Sequence, residues 1–293
     1  MEFRGAFTAL STPFTNGEID EEAYRAFIEW QIEQGIDGLV PCGTTGEAAT
    51  MNHEEQGRII SICVDQAKGR VPVVAGAGSN STKEAIQLTK LAKDAGADAA
   101  LQITPYYNKP TPGGLVEHFK AIAKEVSMPF VIYNVPGRTG LNLLPEHLKM
   151  IVDAVPEAIA VKEATGDLNQ AAQVIEQCGK DFNLLSGDDF TVLPLLAVGG
   201  RGVISVISNI MPAAMSGMCK AFFEKDHEKA LDLSLLMAPV NRAMFMETNP
   251  IPVKTSLKMM GLFKEAEFRL PIVPLQPENQ PKLEAVLKEA KVI

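Results

Sequence analysis

The chain has 293 residues, 46% hydrophobic and 22% charged, the balance of a globular protein that can bury a large core. Twenty-seven basic against 36 acidic residues give a formal charge of −9, and no basic run with interleaved aromatics is available to track a phosphate backbone, so nucleic acid is not an expected partner. The opening MEFRGAFTAL has too short an apolar part for a signal peptide and no stretch approaches the ~20 apolar residues that cross a bilayer, so the expectation is no membrane contact and a cytoplasmic protein.

In chain order, apolar and often β-branched runs occur at GAFTAL (5–10), GLVPCG (38–43), VPVVAG (71–76), AALQIT (99–104), FVIYNV (130–135), IAVK (159–162), NLLSG (183–187) and GVISVIS (202–208). Between the early runs lie segments of helical period: EEAYRAFIEWQIEQG, HEEQGRIISICVDQAKG and TKEAIQLTKLAKDAGA. The runs are continuously rather than alternately apolar, as parallel strands are when helices cover both faces of the sheet. Eight such units over residues 1–226 predict an α/β protein with a closed (β/α)₈ TIM barrel, a fold of ~250 residues. The competing open doubly wound sheet usually carries a GxGxxG turn after its first strand, and this chain has none. Over residues 227–293 the strands stop, and EKALDLSLLMAPVNRAMFMETNPIPVKTSLKMMG followed by PKLEAVLKEAKV predicts a C-terminal helical appendage, broken at prolines.

Cys42, Cys63, Cys178 and Cys219 form no CxxC pair, and His53, His118, His147 and His227 form no HExxH or HxH pair. Reduced, mostly buried thiols are expected, with no metal and no cofactor.

Functional groups of such barrels sit at the carboxyl ends of strands. AIAVKEATGD (158–167) runs small apolar residues straight into Lys162 at such an end. A lysine of pKa near 10.4 has only about 0.04% free amine at pH 7, and one desolvated to about 7–8 gains two to three orders of magnitude. Ala160, Val161 and Ala164 are the expected desolvating neighbours, leaving an amine able to attack a carbonyl. The alternative is a surface lysine or one half of an internal ion pair. Tyr106, Tyr107 and Tyr133 fall at the ends of the fourth and fifth strands, and Tyr133 is on the strand before Lys162, so phenol and amine can meet in a proton relay. An aromatic that caps the core with its hydroxyl in water is the other reading. In CGTTGEAATMNHEE, backbone amides beside Thr44 and Thr45 suit a carboxylate. Asn52 and Glu55 further along form a capping-box pattern for the next helix, so part of the segment is also an ordinary βα loop. The acid-rich SGDD (186–189) argues against a phosphate site near the seventh strand.

GTTGE (43–47), TPYYNKP (104–110), YNVPGRTG (133–140), KEATGD (162–167), LLSGDD (184–189), GVISV (202–206) and NPIPVK (249–254) together resemble the 4-hydroxy-tetrahydrodipicolinate synthase (dihydrodipicolinate synthase) family, collinearly over nearly the whole chain. GTTGE, Tyr-Asn-x-Pro and the lysine mark the wider pyruvate-dependent class I aldolase/lyase family, so N-acetylneuraminate lyase and 2-keto-3-deoxy sugar acid aldolases stay as alternatives, as does a non-catalytic barrel that senses a keto acid. The arginine of YNVPGRTG is the more specific sign.

The resemblance implies that Lys162 forms a Schiff base with pyruvate and that the enamine adds to L-aspartate 4-semialdehyde in lysine and diaminopimelate biosynthesis. It implies a relay of Tyr133, Thr44 and Tyr107, the last reaching into an adjacent subunit of a homotetramer built as a dimer of dimers. Thr45 matches the pyruvate carboxylate contact, Arg138 the residue receiving the semialdehyde carboxylate, and Gly187 and Ile204 backbone positions lining the site. His53, Asn80, Glu84 and Tyr106 match an allosteric L-lysine site, although Ala48 and Gln56 stand where many sensitive members carry serine and histidine.

Overall fold

A computed structural model of the chain describes residues 3–293. The strands among them are β1 (Gly5–Ala9), β2 (Phe14–Thr15), β3 (Glu18–Ile19), β4 (Gly38–Val40), β5 (Val74–Gly76), β6 (Ala99–Ile103), β7 (Phe130–Asn134), β8 (Ala158–Glu163), β9 (Asn183–Ser186) and β10 (Gly202–Ser205). The α-helices are α1 (Glu21–Glu33), α2 (His53–Ala67), α3 (Thr82–Asp94), α4 (Pro112–Glu125), α5 (Pro136–Thr139), α6 (Pro145–Ala154), α7 (Leu168–Cys178), α8 (Val192–Ala197), α9 (Pro212–Phe223), α10 (His227–Met244), α11 (Ile251–Met259) and α12 (Gln280–Glu289).

All the predicted apolar runs enter one 8-stranded sheet in the order β4-β1-β10-β9-β8-β7-β6-β5. The ladders between these neighbours are parallel, and a parallel bridge between Leu39 and Val73 joins the two outer strands, with Gly76 N donating to Pro41 O at 2.9 Å. The sheet is thus a TIM barrel. Gly76 permits this closure, because a Cβ there would lie 2.0 Å from the Cys42 carbonyl oxygen.

Strand alternation sorts the barrel into two packed regions. Phe7, Ala9, Val40, Val74, Leu101, Val131, Ala160, Leu185 and Ile204 fill the lumen as one cluster. The intervening residues, among them Leu39, Ala100, Ile132, Val161 and Leu184, pack outward under the helices in a second. The Asn52–Glu55 capping box opens α2 as expected. The β2–β3 ribbon was not among the predicted elements; its turn is Asn16-Gly17, both at positive φ, the usual signature of a two-residue hairpin.

α10 begins at His227, with the Asp226 side chain accepting from Lys229 N at 3.1 Å. It corrects one expectation: the helix continues through Pro239 instead of breaking there. The carbonyl that Pro239 leaves unbonded belongs to Leu235, which is 61% exposed, so water is at hand to satisfy it. Met237, Val240, Leu257 and Leu283 of the appendage share a hydrophobic cluster with Phe27 and Ile28 of α1. Among the described residues, no helix is long and apolar enough to cross a membrane.

Candidate active site

Lys162 is the penultimate residue of β8, and parallel pairing puts it directly beside Tyr133 of β7. Its amine lies 4.2 Å from the centre of the Tyr133 ring. Only 6% of the residue is exposed, and burial pulls the amine from 10.5 to about 8, with Asp189 pushing it up and Arg138 pushing it further down. Ala160 and Ala164 share the lumen side with Lys162 as expected, but Val161 faces the helices and takes no part in drying the amine, because adjacent strand residues point to opposite faces. Burial raises the Tyr133 phenol, while the Arg138 charge and a hydrogen bond with the Thr44 side chain draw it back.

These groups line a cavity of about 170 Å³ at the carboxyl ends of the strands, together with Thr45 and Gly187. Gly187 is required by the lysine itself: a Cβ would lie 2.6 Å from the Ala164 Cβ and 3.0 Å from Lys162 Cε. Arg138 comes from α5, a single turn after β7, and its Nη2 donates to the Asn249 carbonyl at 3.3 Å. Asn249 Nδ2 donates to Thr45 Oγ1 at 3.0 Å. This leaves the threonine hydroxyl hydrogen free for an incoming acceptor.

Asn249 is the residue that sequence reasoning missed. It lies within the NPIPVK segment, but no local pattern reveals that its side chain reaches a threonine 204 positions earlier. Phe245 and Asp188 also line the cavity without having been singled out.

Two of the named residues are elsewhere. Ile204 is 1% exposed inside the lumen cluster beside Phe7, and the cavity wall at that strand is Val206. Tyr107 is 89% exposed at φ +71, outside the cavity, its amide bonded to the Thr139 carbonyl at 3.4 Å.

The four residues of the second group do meet. His53 Nε2 lies 2.8 Å from Glu84 Oε1, the Ser79 hydroxyl bonds the other Glu84 oxygen, and both interactions hold the Glu84 carboxyl below its usual range, the Ser79 bond foremost. Tyr106 joins His53 and Glu84 around a second cavity of about 460 Å³, and Asn80 Nδ2 donates to the Tyr106 carbonyl at 3.1 Å from outside its wall. Thr44, Tyr133, Arg138 and Asn249 border both cavities, so the two are neighbours through that wall.

Fold and site define a TIM-barrel protein that offers a dried lysine amine, beside a phenol, to a small acid. The chain belongs to the dihydrodipicolinate synthetase family, whose pattern matches residues 2–290. It is 69% identical over 293 residues, 100% of both chains, to the 4-hydroxy-tetrahydrodipicolinate synthase of Maridesulfovibrio salexigens. It is similar to the crystal structure of the chloride-inhibited dihydrodipicolinate synthase of Acinetobacter baumannii complexed with pyruvate, at 43% identity and TM-score 0.96 over 99% of each chain. It is also similar to that of DHDPS from Cyanidioschyzon merolae with lysine bound, at 36% identity and TM-score 0.95 over 99% of each chain.

Proposed function

We propose that the protein condenses pyruvate with L-aspartate 4-semialdehyde in lysine and diaminopimelate biosynthesis, the activity of a 4-hydroxy-tetrahydrodipicolinate synthase. The observation that carries this reading is the Lys162 amine, buried at about 8 and in contact with the Tyr133 ring. With that pKa about a tenth of the amine is free at pH 7, against about 0.03% for an unperturbed lysine. The nitrogen adds to the ketone carbon, the ketone oxygen leaves as water, and the iminium that remains draws electrons from the adjacent methyl group. Loss of a methyl proton gives an enamine whose carbon bonds the aldehyde carbon, the aldehyde oxygen taking up a proton. The substrate's amino group then adds to the iminium carbon and expels the Lys162 amine, which closes the ring and frees the lysine. Tyr133 and Thr44 carry protons to and from the departing oxygen, while Thr45 holds the pyruvate carboxylate. Arg138 receives the semialdehyde carboxylate in the planar fork that suits it.

Tyr107, so largely exposed, joins this relay from a neighbouring subunit within a homotetramer. Gly187 completes the wall, with Val206 rather than Ile204 at the end of β10. His53, Asn80, Glu84 and Tyr106 bind L-lysine as an effector, the Glu84 carboxylate pairing with its ammonium. Gln56 weakens that response, because its amide nitrogen already donates to Ala48 O at 3.0 Å and Met51 O at 3.2 Å. Free thiols at all four cysteines suit a cytoplasmic enzyme.

Borohydride reduction in the presence of pyruvate tests the reading. The expected result is inactivation with a reduced pyruvyl group on the peptide containing Lys162. An assay coupling pyruvate to aspartate semialdehyde, run against sugar keto acids, should give turnover with the semialdehyde alone. An unmodified Lys162, or preferred cleavage of a sugar acid, overturns it.

A further inference from the structure

Asn134 and Glu163 directly follow Tyr133 and Lys162, inside the motifs YNVPGRTG and KEATGD, and the chemistry above uses neither. Strand alternation turns them away from the lumen, yet they pair with each other one step beyond the Tyr133–Lys162 pair on the β7–β8 ladder. Asn134 Nδ2 donates to Glu163 Oε2 at 3.0 Å, and Gln170 Nε2 of α7 donates to the same oxygen at 3.1 Å. The Thr165 amide donates to Glu163 Oε1 at 2.7 Å. Asn134 is held in turn, its Oδ1 accepting from Leu143 N at 2.9 Å. Asn134 is 0% and Glu163 3% exposed.

At the opposite end of this ladder the register shifts between Phe130 and Val131. The start of β7 therefore does not by itself dictate how far along β8 its end will sit. The side-chain bonds at the carboxyl end hold the two strand ends level where the phenol and the amine face each other.

We infer that Glu163 is a positioning residue for the reaction: gripped by Asn134 from β7 and by Gln170 from α7, it sets the height at which the Tyr133 phenol meets the Lys162 amine. The inference rests on the reading of Lys162 as the amine that condenses with pyruvate. It predicts that loosening Glu163 harms proton transfer, which needs both side chains aligned, more than adduct formation, which needs the amine alone.

The test compares wild type, Glu163→Gln, Tyr133→Phe and the double variant. Glutamine keeps the size but presents an NH₂ group to surrounding N–H donors. Two quantities are read: the fraction of Lys162 trapped by borohydride with pyruvate, and the rate at which pyruvate methyl protons exchange with D₂O, followed by NMR at enzyme concentrations that keep slow variants visible. Glu163→Gln should leave trapping within twofold of wild type and slow exchange tenfold or more. On the Tyr133→Phe background it should change exchange less than twofold, since the alignment it protects is already useless. Equal fold losses in the two backgrounds, or unchanged exchange, overturn the inference. If Glu163→Gln does not fold, Asn134→Ala replaces it with the same expectations, leaving Glu163 two of its three donors. Absence of trapping in wild type removes the underlying reading, and the inference with it, before any variant is compared.

Discussion

Lys254 Nζ lies 2.6 Å from Glu47 Oε1, the two residues standing 207 positions apart in sequence and both side chains sealed from solvent. The ammonium also rests 4.1 Å from the centre of the Phe14 ring. Burial lowers its pKa to about 8 in spite of Glu47, which acts to raise it. Glu47 closes the GTTGE turn in a left-handed conformation, φ 58. The pair therefore fastens α11 of the appendage to the turn that carries Thr44 and Thr45.

Breaking this pair should be far more damaging than replacing it. A single buried charge left without its partner costs about 3–5 kcal/mol, whereas a well-packed neutral pair of similar volume is close to neutral. Lys254→Met is expected to lower the melting temperature by roughly 6–20 °C, at about 2–4 °C per kcal/mol for a chain of this size. The double variant Glu47→Gln/Lys254→Met should recover at least half of that loss. Calorimetry at pH 7 decides, and a wild-type melting temperature for Lys254→Met would rule out the fastening role.

Lys162 should act in the opposite sense on stability. Its folded-state pKa of about 8 lies below its ordinary 10.5, so the fold disfavours the charged amine. That penalty is fully present below pH 8 and fades as pH rises from 8 towards 10.5. At 1.36 kcal/mol per pKa unit it is on the order of 3 kcal/mol. Lys162→Met, which keeps the bulk without the charge, should abolish turnover while raising the melting temperature by several degrees at pH 7. The gap between variant and wild type should narrow above pH 8. A gap that stays constant to pH 10.5 would show that the amine is not what strains the fold.

The pH–rate profile should report the same amine through Asp189. This buried carboxyl accepts from Val206 N and Ile207 N at 2.9 Å each. Its charge raises the Lys162 pKa, although burial pushes its own pKa up. In wild type, kcat/KM for pyruvate should fall on the acid side with an apparent pKa near 8, as the free amine is lost. Asp189→Asn should move this limb to lower pH, because a lysine without a nearby anion gives up its proton more easily. An unmoved limb would mean that Asp189 is uncharged in the free protein.

Much of this architecture was legible in residue order. Parallel strands buried on both faces are continuous apolar runs, so every barrel strand could be read, and a lysine at the end of one such run stood out for that reason. The Asn52–Glu55 cap is equally local, a matter of residues three apart. The β2–β3 ribbon escaped notice because two-residue strands are too short to show a period, although Asn16-Gly17 marked the turn. Val161 was placed beside the amine by its nearness in sequence, while the pleat of β8 sends it to the other face.

The sequence by itself determined the order of strands and helices, because hydrophobic period and capping are properties of neighbouring residues. It also determined which strand ends carry an amine, a phenol, two hydroxyls and a guanidinium. Only the tertiary structure decided that Asn249 touches Thr45, that Lys254 closes on Glu47 and that Glu163 is held between β7 and α7. Those contacts span distances along the chain over which no local pattern persists. The structure also decided the pKa of Lys162, which depends on how completely the closed barrel excludes water from its end.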